Sequence, residues 1–194
     1  MKNYSFAHVI NPFVTQTAHP LHFAQQVTVL SMLQAREFSE KETEIRLYSA
    51  QFPEDASAVP PGFIATPNLT RSLADVIPGS LVPKLPLLTD ILNALFSSSS
   101  ADYLIYTNLD IGLTPNFYEA VQATARNGYD AFVINRRTIS TNYHRLEELP
   151  FMVAEPGELH RGWDCFVFRR ELLRLLELNL VCIGAPLVGL VFYA

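Results

Sequence analysis

The chain has 194 residues, 49% of them apolar and 17% charged, and 14 Lys and Arg against 19 Asp and Glu give a net charge of −5. That length builds one good core rather than two full domains, and the composition is globular rather than disordered. With no basic excess to neutralise phosphates, a general nucleic-acid binder is excluded.

The first apolar run, "FAHVI", stops at Asn11-Pro12 and reads as a strand followed by a turn. From Pro20, "PLHFAQQVTVLSMLQAR" carries Phe23, Val27, Leu30 and Leu33 at helical spacing. "TEIRLYSA" alternates and predicts a second strand. Residues 52–68 are proline-rich without a clear period, which predicts a long loop or a set of short turns of the kind that forms lids and binding segments. "LPLLTDILNALF" puts Leu85, Leu88, Leu92 and Leu95 on one helical face, with Pro86 in the first turn. After the connector "SSSSAD", "YLIYTNLD" is an apolar strand that ends in polar residues. "TPNFYEAVQATARNG" predicts a helix between Pro115 and Gly128, and "DAFVINRR" another strand. "DCFVFRR" reads as a strand leading into a helix, "ELLRLLEL", and "LVCIGAPLVGLVFYA" closes the chain.

Strand and helix alternate at short spacing, which predicts an α/β fold: a mainly parallel central sheet with helices on both faces. Cys165 and Cys182 sit in apolar runs as buried thiols, too few and too far apart for a disulfide framework or a zinc site. His8, His19, His22 and His144 lack ligand spacing. The N-terminus has no apolar signal-peptide core and no stretch reaches the length of a membrane span, so a cytoplasmic location is expected. Gly-x-Gly-x-x-Gly, Walker and Gly-x-Ser-x-Gly motifs are missing, which removes the common rivals within the class.

In such sheets ligands bind beyond the carboxyl ends of the strands. The residues there are Asn11 and Pro12; Asn108 and Asp110; and Asn135, Arg136 and Arg137. Side chains alternate along a strand, so Asn108 and Asp110 point the same way and suit a hard divalent cation that bridges a diphosphate. The alternative is an Asp capping the turn into the next helix. Arg71, and Lys84 just before a helix, can reach a diphosphate or remain solvated surface charge. Arg136 and Arg137 can bind a leaving phosphate or pair with Glu147 or Glu148. In "HRGWDCF", Asp164 is a candidate general base or donor-sugar partner, or a turn residue pairing with Arg161 or Arg169. Trp163 can stack on a sugar or anchor the core, while His160 reads as an ordinary surface histidine.

The order of elements around "YLIYTNLDIGLTPNFY", with the later "HRGWDCFVFRRELL", resembles the glycosyltransferase A fold of nucleotide-diphospho-sugar transferases. In that fold a short acidic motif ends a core strand and holds Mn2+ or Mg2+ against the diphosphate of a sugar nucleotide. The resemblance implies a metal ligand at Asp110, assisted by Asn108, nucleotide contacts from Asn11 and Pro12, and Asp164 facing sugar or acceptor. It implies transfer of a sugar from a nucleoside-diphosphate sugar to a hydroxyl acceptor. Two departures stand out: the first motif position is Asn108 rather than an acid, and the sequence stops soon after "GAPLVGL". Both suit the alternative, a catalytically incomplete sugar-nucleotide-binding or protein-interaction module on one domain spanning residues 1–194.

Overall fold

The computed structural model describes residues 3–39, 43–77 and 84–183, without the side chains of Arg161 and Trp163. The expectation for Trp163 and the end of the closing apolar run lie outside the described residues. Among the described residues there are six strands, β1 (Phe6–Ile10), β2 (Ile45–Ser49), β3 (Ile64–Ala65), β4 (Tyr103–Thr107), β5 (Ala131–Thr138) and β6 (Glu158–Arg169). The helices are α1 (Pro20–Ser39), α2 (Leu73–Val76), α3 (Leu88–Ser98), α4 (Phe117–Arg126) and α5 (Leu149–Ala154).

The strands form one sheet in the order β3-β2-β1-β4-β6-β5. The first four are parallel, as expected. The sheet is not parallel throughout: β6 runs antiparallel to β4, and β5 antiparallel to β6. Helix α4 leads from β4 to the edge strand β5, and α5 with its preceding turn lets the chain reverse and slot β6 between them.

All five residues of β1 and of β4 are buried, since both faces of the sheet are covered. Ala7, Val9, Leu104 and Tyr106 face α3, against Leu88, Ile91, Leu92 and Leu95. Phe6, Ile10, Tyr103 and Ile105 face α1 and α4, against Met32, Ala35, Tyr118, Val121 and Ala125. Burying that much apolar area on each side, at ~25 cal/mol per Å2, fixes the central strands and holds their carboxyl ends rigidly at one rim.

Four local readings differ. The buried residues of α1 are Gln25, Thr28, Ser31, Met32, Ala35 and Ser39, whereas Phe23, Val27, Leu30 and Leu33 are only partly buried. Helix α3 starts at Leu88, with Pro86 outside it in a bridge to Ser72. "ELLRLL" is a 3-10 turn, Arg170–Leu175, rather than an α-helix. Finally, "HRGWD" lies within β6, not in a turn before it.

Candidate functional site

Strand β4 delivers Tyr106 and Thr107 to the rim, and the chain turns at Leu109 and Asp110. The turn is clamped from α1. Thr28 Oγ1 donates to the Leu109 carbonyl at 2.8 Å, and the Leu113 N–H donates to Ser31 Oγ at 2.9 Å. This is why the buried stripe of α1 includes Thr28 and Ser31: they hold a segment that carries no regular structure of its own. A sequence reading by apolar period passes over such residues.

Asn108 is anchored at both ends of its amide. Its Oδ1 accepts the Tyr106 hydroxyl at 2.7 Å, and its Nδ2 donates to Asp164 Oδ1 at 3.0 Å. Burial, then the charges of Asp110 and Asp164, push the Tyr106 phenol well above its ordinary range, so it remains a donor. The Asn108 backbone N–H also reaches the Asp164 carbonyl at 3.3 Å, which ties the end of β4 to β6.

Asp164 reaches the rim through an irregularity in the sheet. Ile134 pairs with Cys165 but Asn135 with Trp163, so Asp164 is an extra residue on β6. The register shifts again between Asn135 and Arg137, where Arg136 alone stands opposite residues 160–162. Bulges re-aim side chains, and these two bring Asp164, Arg136 and His160 together. Arg136 Nη1 donates to Asp110 Oδ2 at 3.2 Å, and Nη2 lies 3.0 Å from His160 Nε2. Arg136 Nε faces Asp164 Oδ2 at 3.0 Å as an ion pair, out of line for a hydrogen bond. Gly162 makes room: a Cβ there would lie 2.8 Å from His160 Nε2.

The side chain of Asp164 is 13% exposed, Arg136 27% and Asp110 41%. Asn108, Asp110 and Asp164 therefore converge around a guanidinium. Of the two alternative partners named from the sequence for Asp164, Arg169 pairs instead with Asp130, and the side chain of Arg161 lies outside the described residues. Arg137 donates to the carbonyls of Pro156 and Gly157 and is structural.

The other candidates lie elsewhere. Asn11 Nδ2 donates to the Ala50 carbonyl and ties the carboxyl ends of β1 and β2 together. Pro12 lines a mainly apolar cleft of about 520 Å3, walled by residues 13–15, by Val29, Leu30 and Leu33 of α1, and by Ser57, Ala58, Pro60 and Leu146. Part of the partly buried apolar face of α1 thus borders a cavity, while Val29 and Leu33 also pack against the core. Arg71 is held bidentate by Asp90 at 2.8 and 2.9 Å. Lys84 pairs with Glu54 and lies 4.3 Å over the Phe52 ring. Both cations are committed to neighbours away from Asp110.

The arrangement does not fit a divalent cation. Asn108 has its oxygen turned inward to Tyr106, and Arg136 already stands between the two carboxylates that a metal would share. Among the described residues no three His, Cys, Asp or Glu side chains converge as a ligand set.

No protein-family model matches the sequence, and no curated protein matches it. Solved structures do match. 4-Diphosphocytidyl-2C-methyl-D-erythritol synthase from Anaerococcus prevotii is 6% identical over 98% of this chain and 83% of its own, with a TM-score of 0.50. Glucosyl-3-phosphoglycerate synthase from Mycobacterium tuberculosis is 15% identical over 87% of this chain and 59% of its own, with a TM-score of 0.46. The chain spans a little over half the length of that enzyme. With its sheet order and its two helical layers, the chain shares the fold of the 4-diphosphocytidyl-2C-methyl-D-erythritol synthase, a likeness of fold alone.

Proposed function

We propose that the protein binds a nucleoside-diphosphate sugar at the rim formed by the carboxyl ends of β1 and β4 and transfers its sugar to a hydroxyl acceptor. One observation carries this reading: Asn108, Asp110, Asp164, Arg136 and His160 meet at the end of the central strand of this fold. Ligands of open α/β sheets collect at that rim. The apolar cleft beginning at Pro12 suits a flat nucleoside, and the polar cluster suits the charged end of the donor.

The residues divide the work. Asn108 and Asp164 brace each other and fix the geometry of the rim. Asp164 acts by positioning rather than as a base, since Oδ1 is held by Asn108 and Oδ2 faces Arg136. Charge developing on the departing diphosphate is met by prearranged donors, the form of stabilisation that contributes most to transfer reactions.

The test is a thermal-shift panel of nucleoside diphosphates and their sugars, followed by measurement of nucleoside diphosphate release with hydroxyl acceptors. A cognate donor at 100 times its Kd raises Tm by about 5–10 °C. A flat response across the panel would overturn the reading. A clear shift without turnover favours the incomplete binding module.

A further inference from the structure

Among the described residues, Arg136 is the one cation between Asp110 and Asp164, and it enters from a bulged edge strand with one side braced. Its Nη1 serves Asp110 and its Nη2 faces His160. Among the described residues this leaves a further proton on each terminal nitrogen for an anion, because a guanidinium carries five N–H donors in a rigid fork. The two carboxylates are not equivalent. Asp164 is nearly buried and fixed through Asn108, whereas Asp110 sits on a turn, is 41% exposed and touches Arg136 at 3.2 Å. Among the described side chains two acids face this one guanidinium, and their charge opposes an incoming phosphate.

We propose that Arg136 is the resident cation of this site and binds the donor's diphosphate directly, and that Asp110 is not a metal ligand but an internal stand-in for phosphate, displaced when the ligand arrives. This rests on the reading that the ligand carries a diphosphate. Asp164 stays in place and orients the guanidinium; Asp110 swings to solvent, and one anion replaces another on the same fork. The two views of Asp110 differ in sign. A metal ligand, once removed, costs affinity. A competing carboxylate, once neutralised, gives affinity back.

The experiment is calorimetric titration of UDP, GDP and inorganic pyrophosphate into wild type, Asp110→Asn, Arg136→Gln and Arg136→Lys, each in EDTA and in Mn2+. Far-UV circular dichroism and Tm confirm that each variant is folded, and Arg136→Lys keeps the charge if Arg136→Gln does not fold. The expected result is binding in EDTA, tightened about five-fold by Asp110→Asn and weakened at least about ten-fold by Arg136→Gln, with Arg136→Lys between. Binding that needs Mn2+ and weakens with Asp110→Asn overturns the proposal and leaves the donor-binding reading standing. If pyrophosphate follows the expected pattern while neither nucleotide binds more tightly than it, the anion site stands and the nucleotide reading fails. No binding of any of the three overturns both.

Discussion

Asn108 occupies the position where the resembled metal motif carries an acid, and its amide performs two tasks that a carboxylate cannot combine. It accepts from the Tyr106 phenol and donates to Asp164. Asn108→Asp would set a second carboxylate about 3.0 Å from the first, with no proton to share at neutral pH. The expected cost is about 1–3 kcal/mol at pH 7, shrinking toward pH 4 as one carboxyl takes up a proton. Urea unfolding of wild type and variant at both pH values checks this; an unchanged difference between the two would exclude repulsion as the cause. The sequence displayed the exchange at this position. It did not display its reason, because Asp164 is 56 residues away and becomes a neighbour only through β6.

Among the elements, α1 and the β5–β6 pair decide the site. Helix α1 was legible as a helix, but its contact face was not. The apolar period pointed to Leu30 and Leu33, which border the cleft, while the buried side mixes Met32 and Ala35 with the polar Gln25, Thr28, Ser31 and Ser39. Thr28 and Ser31 sit there because the turn after β4 presents a bare carbonyl and a bare N–H that need partners when buried. Ser31→Ala leaves the Leu113 N–H without one, at about 1–3 kcal/mol, and Thr28→Val does the same to the Leu109 carbonyl at about 1 kcal/mol. Amide exchange reads the first directly: Leu113 should exchange faster in Ser31→Ala, with the centre of β4 unaffected. Equal rates at Leu113 would mean that the clamp is not holding the turn. The bulges in β5 and β6 were invisible beforehand for a general reason. A bulge is a mismatch between two strands, and a single strand carries no record of its partner's register.

For the whole molecule, the sandwich of helix, sheet and helix makes the centre of the sheet dry enough to govern acid stability. His8 lies wholly buried on β1, its ring nitrogens 2.9 Å from the Tyr118 hydroxyl and 3.0 Å from Thr107 Oγ1. Burial lowers its pKa from 6.5 to about 3. The folded protein therefore refuses a proton that the unfolded chain accepts below pH 6.5. Stability from this group is intact above that value and is lost as pH falls toward 3, at up to about 1.4 kcal/mol per pH unit. Unfolding at pH 5 should need about 2 kcal/mol less than at pH 7.5. In His8→Gln this slope should flatten; an unchanged slope would assign the acid sensitivity to other groups. The same burial pushes the Cys165 thiol up and leaves it inert, as its apolar flanks suggested.

Local pattern determined a good deal of this protein by itself. Continuous apolar runs marked β1 and β4 because both faces of those strands are covered, and the alternation of elements gave the layered α/β class. The same reading placed Asn11, Asn108 and Asp110 at strand ends, since that depends only on where a run of buried residues stops. The tertiary structure alone decided that β6 runs antiparallel between β4 and β5. It also decided that Arg136 enters the rim from an edge strand and that Asp110 faces a guanidinium. Those outcomes depend on pairings between residues far apart in sequence, which the energy of the whole sheet selects and no short window encodes.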